Sequence, residues 1–291
     1  MWKPQIALFI DSEIWPNMFK NLNNHKIPII LLNGRITKKS FLRWRKFPNF
    51  SKKIFSKISL ALPQNSETIK YLKILGTKKI KIAGNLKYFG KSKKNLDKNT
   101  KKLFKNRLIF CAASTHYNEE LFIGKIHKEL KLKFNNLITI IIPRHVDRSQ
   151  SIINELENID LKTITKSSKK KISKNTDIYV VDTYGEATKF YELSNITFLG
   201  GSMVPHGGQN PLEPARMGNY ILHGPHIQNF KEIYIMLSKL NVSSKVNNIN
   251  NMKKNIIRRI KYKQPQKVSH KLNFIGNQIL KKNLKEINKY F

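Results

Sequence analysis

The chain has 291 residues, room for two domains of ordinary size, and its 40% hydrophobic and 10% aromatic content excludes a disordered chain. A single cysteine excludes a disulfide framework and a zinc site built from several thiolates, and points to a reducing compartment. The balance of 55 Lys and Arg against 18 Asp and Glu gives +37, an attraction for nucleic acid, an acidic membrane face or a phosphorylated substrate. Lysine, asparagine and isoleucine run through every segment, so compositional bias accounts for the charge equally well.

The opening Met1-Trp2-Lys3-Pro4 lacks the basic region and apolar stretch of a signal peptide, and no later apolar run reaches the roughly 18 residues of a membrane span. A cytosolic chain able to lie against a membrane is expected. Short apolar runs then alternate with amphipathic stretches, the pattern of parallel sheets with crossover helices. Strands are predicted at 5–10, 27–32, 58–62 and 79–83, then at 108–112, 138–142, 178–181, 196–199 and 220–222. The tail carries Val268, Leu272, Ile275 and Ile279 at helical spacing and predicts an amphipathic helix, with Gly276 as a discordant residue inside it.

This divides the chain into a partial N-terminal α/β domain (1–90), a lysine-rich linker with a short helix (91–106), a second α/β domain (107–265) and a closing helix (266–291). Four strands ahead of the linker are fewer than the five or six of a doubly wound domain, so the first domain is expected to be truncated.

Four segments carry candidate chemistry. In Cys111-Ala112-Ala113-Ser114-Thr115-His116 a strand ends in small residues. Cys111 reads as core, Ser114 or Thr115 as a helix cap, Glu119 or Glu120 as favourable to the helix dipole, and His116 as aimed into a cleft. In Ile141-Ile142-Pro143-Arg144-His145 a strand stops at a proline and presents two basic side chains at its C-terminal end, where open α/β sheets bind ligands. Arg144 can grip an anion bidentately and His145 can add a hydrogen bond. In Asp182-Thr183-Tyr184-Gly185-Glu186 a glycine at a strand-to-helix turn lets a ligand approach the backbone.

The densest segment runs from Gly200-Gly201-Ser202 to Asn210-Pro211-Leu212-Glu213-Pro214. Its glycine pairs allow successive N–H groups to converge on a phosphate, and Glu213 can take two ribose hydroxyls. The same residues also spell an N-cap, a first-turn proline and a capping-box acid. Against that stands Pro214, which lacks the donor the next turn would need; a helix starting at Pro214 would free the Glu213 carboxylate.

Together these segments resemble the 3-deoxy-D-manno-octulosonic acid (Kdo) transferases of lipid A biosynthesis. The resemblance rests on order and spacing: Ser12-Glu13-Ile14-Trp15-Pro16-Asn17, Asn33-Gly34-Arg35-Ile36, Leu75-Gly76, Gly84-Asn85-Leu86-Lys87, Ala113-Ser114-Thr115-His116, Pro143-Arg144-His145, Asp182-Thr183-Tyr184-Gly185-Glu186, Gly200-Gly201-Ser202, and Gly224-Pro225-His226 with Asn229-Phe230. It implies a GT-B fold, two Rossmann-like domains facing a cleft. It further implies CMP-Kdo as donor, with its CMP bound by Pro143, Arg144, Tyr184, Gly185, Glu186, Asn210, Pro211, Leu212 and Glu213; His116, His145, Gly201 and Ser202 complete the candidate binding set. The acceptor is then a lipid A precursor, at the inner face of the bacterial inner membrane.

The sequence departs from the family at Asn118, where Gly is usual, at Tyr184 for Met, and at Gln209 for His. The family's membrane-anchoring segment and its glycine-rich stretch with the base carboxylate have no counterpart, which leaves Asp11 and Glu13 after the first strand as substitute bases for an inverting displacement. No Asp-x-Asp pair stands ready for a metal-diphosphate, and no cofactor is expected. The alternatives are another nucleotide-sugar transferase of this fold, or a non-catalytic or split-enzyme subunit that binds the nucleotide sugar beside a complementary N-terminal polypeptide. Basic segments 91–105 and 253–263 are expected to draw the chain to anionic membrane. Dispersal of the basic residues argues against nucleic acid as a partner.

Overall fold

Residues 29–32 are apolar without interruption, as a strand covered on both faces must be, and they form the middle of a three-stranded parallel sheet. The computed structural model describes residues 4–90, 96–263 and 266–291; Met1 to Lys3, including Trp2, and the first part of the expected linker, 91–95, lie outside the described residues. The contacts divide the chain into two units, Met1–Gly90 with Asn273–Phe291, and Lys91–Leu272.

In the first unit β1 (Ala7–Ile10), α1 (Pro16–Asn24), β2 (Ile29–Gly34), α2 (Lys38–Arg45), α3 (Pro48–Phe55), β3 (Leu60–Pro63) and α4 (Ser66–Leu75) follow in order, with the strands arranged β1-β2-β3. Alternation along β2 sorts the core. Ile29 and Leu31 pack with Phe19, Phe55 and Leu72 on one face, whereas Ile30 packs with Leu60, Leu62 and Ile287 on the other. The strand expected at 79–83 is a correction: only a single parallel bridge joins Ile80 to Ala61, because the chain leaves the sheet with Ile82 77% exposed and turns at Gly84.

The second unit contains α5 (Lys98–Leu103), β4 (Leu108–Thr115), α6 (Glu119–Lys131), β5 (Leu137–Pro143), α7 (Ser149–Glu157), β6 (Thr163–Thr165), β7 (Ile178–Val180), α8 (Ala187–Leu193), β8 (Ile196–Leu199), α9 (Leu212–Arg216), β9 (Tyr220–His223), α10 (Lys231–Lys239), β10 (Ser243–Lys245) and α11 (Ile249–Arg259). All seven strands are parallel, in the order β10-β9-β8-β4-β5-β7-β6. β6 and β10 escape the hydrophobic pattern because they are three-residue polar edge strands. β4, first in the chain, lies mid-sheet. From it the chain fills one side through β5, then crosses to β8 on the other, which opens a crevice at the C-terminal ends of β4 and β8.

The last helix, α12 (Gln266–Ile287), begins in the second unit and continues from Asn273 in the first. Leu272 is fully buried, and Gly276 lets the helix meet the main chain of Tyr88 and Phe89, where a Cβ would lie 2.1 Å from the Tyr88 oxygen. No described helix is long and apolar enough to cross a membrane.

Candidate functional site

The crevice is built where β4 breaks its own regularity. Ser114 takes a left-handed conformation, φ 54°, and the register with β5 slips between Ala113 and Thr115. The expected cap at Ser114 or Thr115 is therefore corrected: the strand runs through Thr115, and α6 is entered from Asn118 at φ 71° with no side-chain cap. That left-handed turn is one glycine adopts freely and asparagine tolerates, which accounts for asparagine where the resembling family has glycine.

Glu119, the first residue of α6, is 1% exposed. Its carboxylate accepts the main-chain N–H groups of His116 at 2.9 Å, Gly201 at 2.7 Å, Ser202 at 3.1 Å and Met203 at 2.9 Å. The expectation that amides of this glycine pair converge on a ligand phosphate is thus corrected, since Glu119 already holds the Gly201, Ser202 and Met203 N–H groups and the Gly200 N–H donates to the Ala113 carbonyl at 2.9 Å. Gly200 is required for the approach: a Cβ there would sit 2.4 Å from the Ser114 oxygen and 2.7 Å from Glu119. Ser202 is buried and its hydroxyl accepts the Gly224 N–H at 2.9 Å, so both residues shape the loop from within.

His116 stands over this clamp. Its Nδ1 lies 3.1 Å from the Ser114 carbonyl, an acceptor only, so Nδ1 carries the hydrogen. Burial, with His206, His145 and Arg144 nearby, pushes its pKa down to about 4 and keeps the ring neutral. Nε2 is then a buried lone pair with no partner among the described residues, an acceptor suited to a hydroxyl. The His206 ring lies 4.2 Å away, and a cavity of about 370 Å³ opens beside it, lined by His116, Tyr117, Asn118, His145, Arg148 and Val204. No described group of three His, Cys, Asp or Glu side chains could hold a metal ion.

Arg144 and His145 follow the buried Pro143 and are both exposed; the Arg144 N–H donates to the Thr115 carbonyl at 3.0 Å, which fixes its position over β4. The Arg144 guanidinium has no hydrogen bond or ion pair among the described residues, unlike Arg148, which grips the buried Glu120 with both nitrogens at 3.1 and 3.3 Å. In the turn before α8, Tyr184 is 73% exposed and Gly185 has φ 79° with open space around it. Glu186 is engaged: burial pushes its carboxyl up, but Lys166, Thr183 and Lys189 outweigh this and hold it at about 2.

At α9 the two sequence readings give way to a third. The Asn210 side chain accepts the Leu212 N–H at 3.1 Å, Pro211 is the N-cap, and the buried Leu212 begins the helix. Pro214 is then the third helical residue, where no N–H is needed, so the objection to a helix here falls away. Glu213 presents an exposed carboxylate with no hydrogen bond among the described residues, although its walled-in base raises its pKa against the pull of Arg216.

In the first unit Asp11, at φ 56°, accepts from Asn33 Nδ2 at 2.6 Å, and Asn33 Oδ1 in turn accepts the Leu86 N–H at 2.9 Å. Glu13 is exposed and accepts the Trp15 indole N–H at 2.7 Å. Cys111 is buried, which pushes its thiol up to about 12 and makes it part of the core. Sequence reasoning missed the Glu119 clamp, the Glu120–Arg148 pair and His206. Acids at a helix start were visible, but nothing local shows which amides they reach.

Residues 1–89 match the family model of the 3-deoxy-D-manno-octulosonic-acid transferases. The 3-deoxy-D-manno-octulosonic acid transferase of Haemophilus influenzae is 33% identical over 251 residues, 84% of this chain and 59% of that protein. The chain spans about half the length of the curated relatives it matches. Among solved structures, the C-terminal CMP-Kdo binding domain of WaaA from Acinetobacter baumannii is similar at 26% identity and TM-score 0.52, covering 61% of this chain and 91% of that domain. A UDP-N-acetylglucosamine 2-epimerase from Listeria monocytogenes, 14% identical with TM-score 0.60 over 98% of this chain and 75% of its own, shares the fold, which is of the GT-B type. On these grounds residues 1–89 belong to the 3-deoxy-D-manno-octulosonic-acid transferase family, and over most of its length the chain is similar to those transferases.

Proposed function

We propose that this chain carries the donor-binding part of a glycosyltransferase that moves Kdo from CMP-Kdo to a lipid A precursor at the cytoplasmic face of the bacterial inner membrane. The observation that carries the reading is the pair of uncommitted charges in the second unit. Among the described residues the Arg144 guanidinium and the Glu213 carboxylate have no hydrogen bond or ion pair, whereas Glu119, Glu120, Arg148 and Glu186 are spent on internal contacts. The similarity to a CMP-Kdo binding domain supports the same assignment.

In this reading Glu213 accepts the two ribose hydroxyls, Arg144 faces the phosphate and sugar carboxylate, and Tyr184 and Gly185 offer the surface along which the nucleotide lies. Pro143, Asn210, Pro211 and Leu212 fix these side chains by closing the strand and opening the helix. His116 and His145 line the cavity that takes the sugar, with His116 Nε2 accepting from one of its hydroxyls. The reaction is a displacement at the anomeric carbon with CMP as leaving group, and an acceptor hydroxyl must lose its proton to a carboxylate. Asp11 and Glu13 remain the candidates for that base in this chain, each already holding one donor.

Calorimetry with CMP tests the assignment. Glu213→Gln and Arg144→Ala should each lose about ten- to a hundredfold in affinity, as expected for a charge-assisted hydrogen bond worth about 1.5–3 kcal/mol. Wild-type affinity in both variants would remove this pocket from consideration.

A further inference from the structure

We infer that the corner between α2 and α3 is the docking surface for an anionic phospholipid bilayer, an inference that deepens the membrane part of the reading above. Every residue from Arg45 to Phe50 is exposed. Three large apolar side chains stand in the corner, Leu42 at 47%, Phe47 at 66% and Phe50 at 49% exposure. The corner is braced from within. The Trp44 ring stacks on Phe50 at 6.2 Å and meets the buried Phe55 edge-on at 5.1 Å, Ser51 Oγ donates to the Trp44 carbonyl at 2.5 Å, and Pro48 starts α3.

The charge around this apolar corner is of one sign. No Asp or Glu occurs between Glu13 and Glu67, and Lys38, Lys39, Arg43, Lys46, Lys52 and Lys53 form no ion pair among the described residues. One of the two segments that sequence favoured, 253–263, is different. There Lys253 is paired with Glu129, Arg259 lies over Tyr220 at 4.4 Å, and the Lys263 ammonium donates to the Glu192 carbonyl at 2.9 Å. Free cations that bracket exposed apolar tips match a surface of anionic headgroups above an acyl layer. An aliphatic side chain such as Leu42 gains from entering acyl chains and offers no face for a base to stack on, which favours lipid over nucleic acid.

Flotation of the full chain with phosphatidylcholine vesicles, with and without phosphatidylglycerol, tests this. Binding is expected only with the anionic lipid and should weaken as salt is raised. Phe47→Ser with Phe50→Ser, and separately Arg43→Glu with Lys46→Glu, should each reduce it at least about tenfold. Lys254→Glu with Arg258→Glu on α11 should leave it within about twofold. CMP affinity, which reports the second unit, should be unchanged in all three, so a failure here is separable from failure of the donor assignment. Vesicle binding that ignores lipid charge, or loss only in the α11 variant, or tighter binding to an oligonucleotide than to vesicles, would each overturn the proposal.

Discussion

The Glu119 carboxylate accepts the Gly201 N–H at 2.7 Å, joining the first turn of α6 to the loop after β8. This one side chain occupies the amide cluster that a glycine-rich loop would otherwise offer to a phosphate, and it ties together the two strands between which the crevice opens.

Removing one of its charged oxygens should cost both stability and binding. Glu119→Gln keeps the size but turns one acceptor into a donor facing main-chain N–H groups, and an orphaned buried N–H costs about 1–3 kcal/mol. Urea unfolding should show a loss of about 2 kcal/mol or more, with CMP affinity falling as the loop relaxes. Wild-type stability in this variant would mean the clamp is incidental.

Acid should weaken the second unit through its buried histidines. Burial lowers the pKa of His116 from 6.5 to about 4, and lowers that of His127, which touches Thr139 at 2.9 Å and Asp177 at 3.4 Å. Both folded values lie below the unfolded one, so the unfolded chain binds more protons as pH falls. The stability is complete above about pH 6.5 and is lost toward pH 4. The His116 shift sets an upper bound of about 3 kcal/mol. Asp177, held well below its ordinary value against burial by His127 and Lys131, adds a further loss only below about its unfolded value of 3.8. Urea midpoints measured between pH 7 and 4.5 should fall less steeply in His116→Gln and His127→Gln; parallel slopes would refute the assignment.

The parallel α/β layout was legible because fully buried strands such as β3 are unbroken apolar runs. Edge strands were not, since Thr163–Thr165 and Ser243–Lys245 pair through the backbone and need no apolar side chains. Sequence singled out Arg144 and Glu213 as candidates because their character is local. It assigned the amides of this loop to a ligand because the competing acceptor, Glu119, is 82 residues away in the chain from Gly201. Gly276 read as a flaw in a helix for the same reason: its partner, the Tyr88 main chain, is invisible to periodicity.

That partner fixes the sign of a substitution. In a free helix Gly276→Ala would stabilise by about 1 kcal/mol, but here the added Cβ would lie 2.1 Å from the Tyr88 oxygen. The helix must shift away from the Tyr88 main chain, at a cost of about 1–3 kcal/mol typical of overpacking. Hydrogen exchange should show faster opening of α12 after Asn273, and a stabilised helix would contradict the contact.

Gly185 is the opposite case. Its φ of 79° favours glycine, yet a Cβ built there meets nothing within 4 Å. Folding alone therefore asks only for the conformation, and Gly185→Asn, which tolerates it, should lose less stability than Gly185→Ala, whose cost is about 1–2 kcal/mol. If the nucleotide lies against this turn beside the exposed Tyr184, the space is the ligand's, and any side chain intrudes. Both variants should then lose about tenfold or more in CMP affinity while the asparagine variant remains nearly as stable as the parent. Wild-type affinity in Gly185→Asn would show that the glycine serves the turn alone and would move the nucleotide away from it.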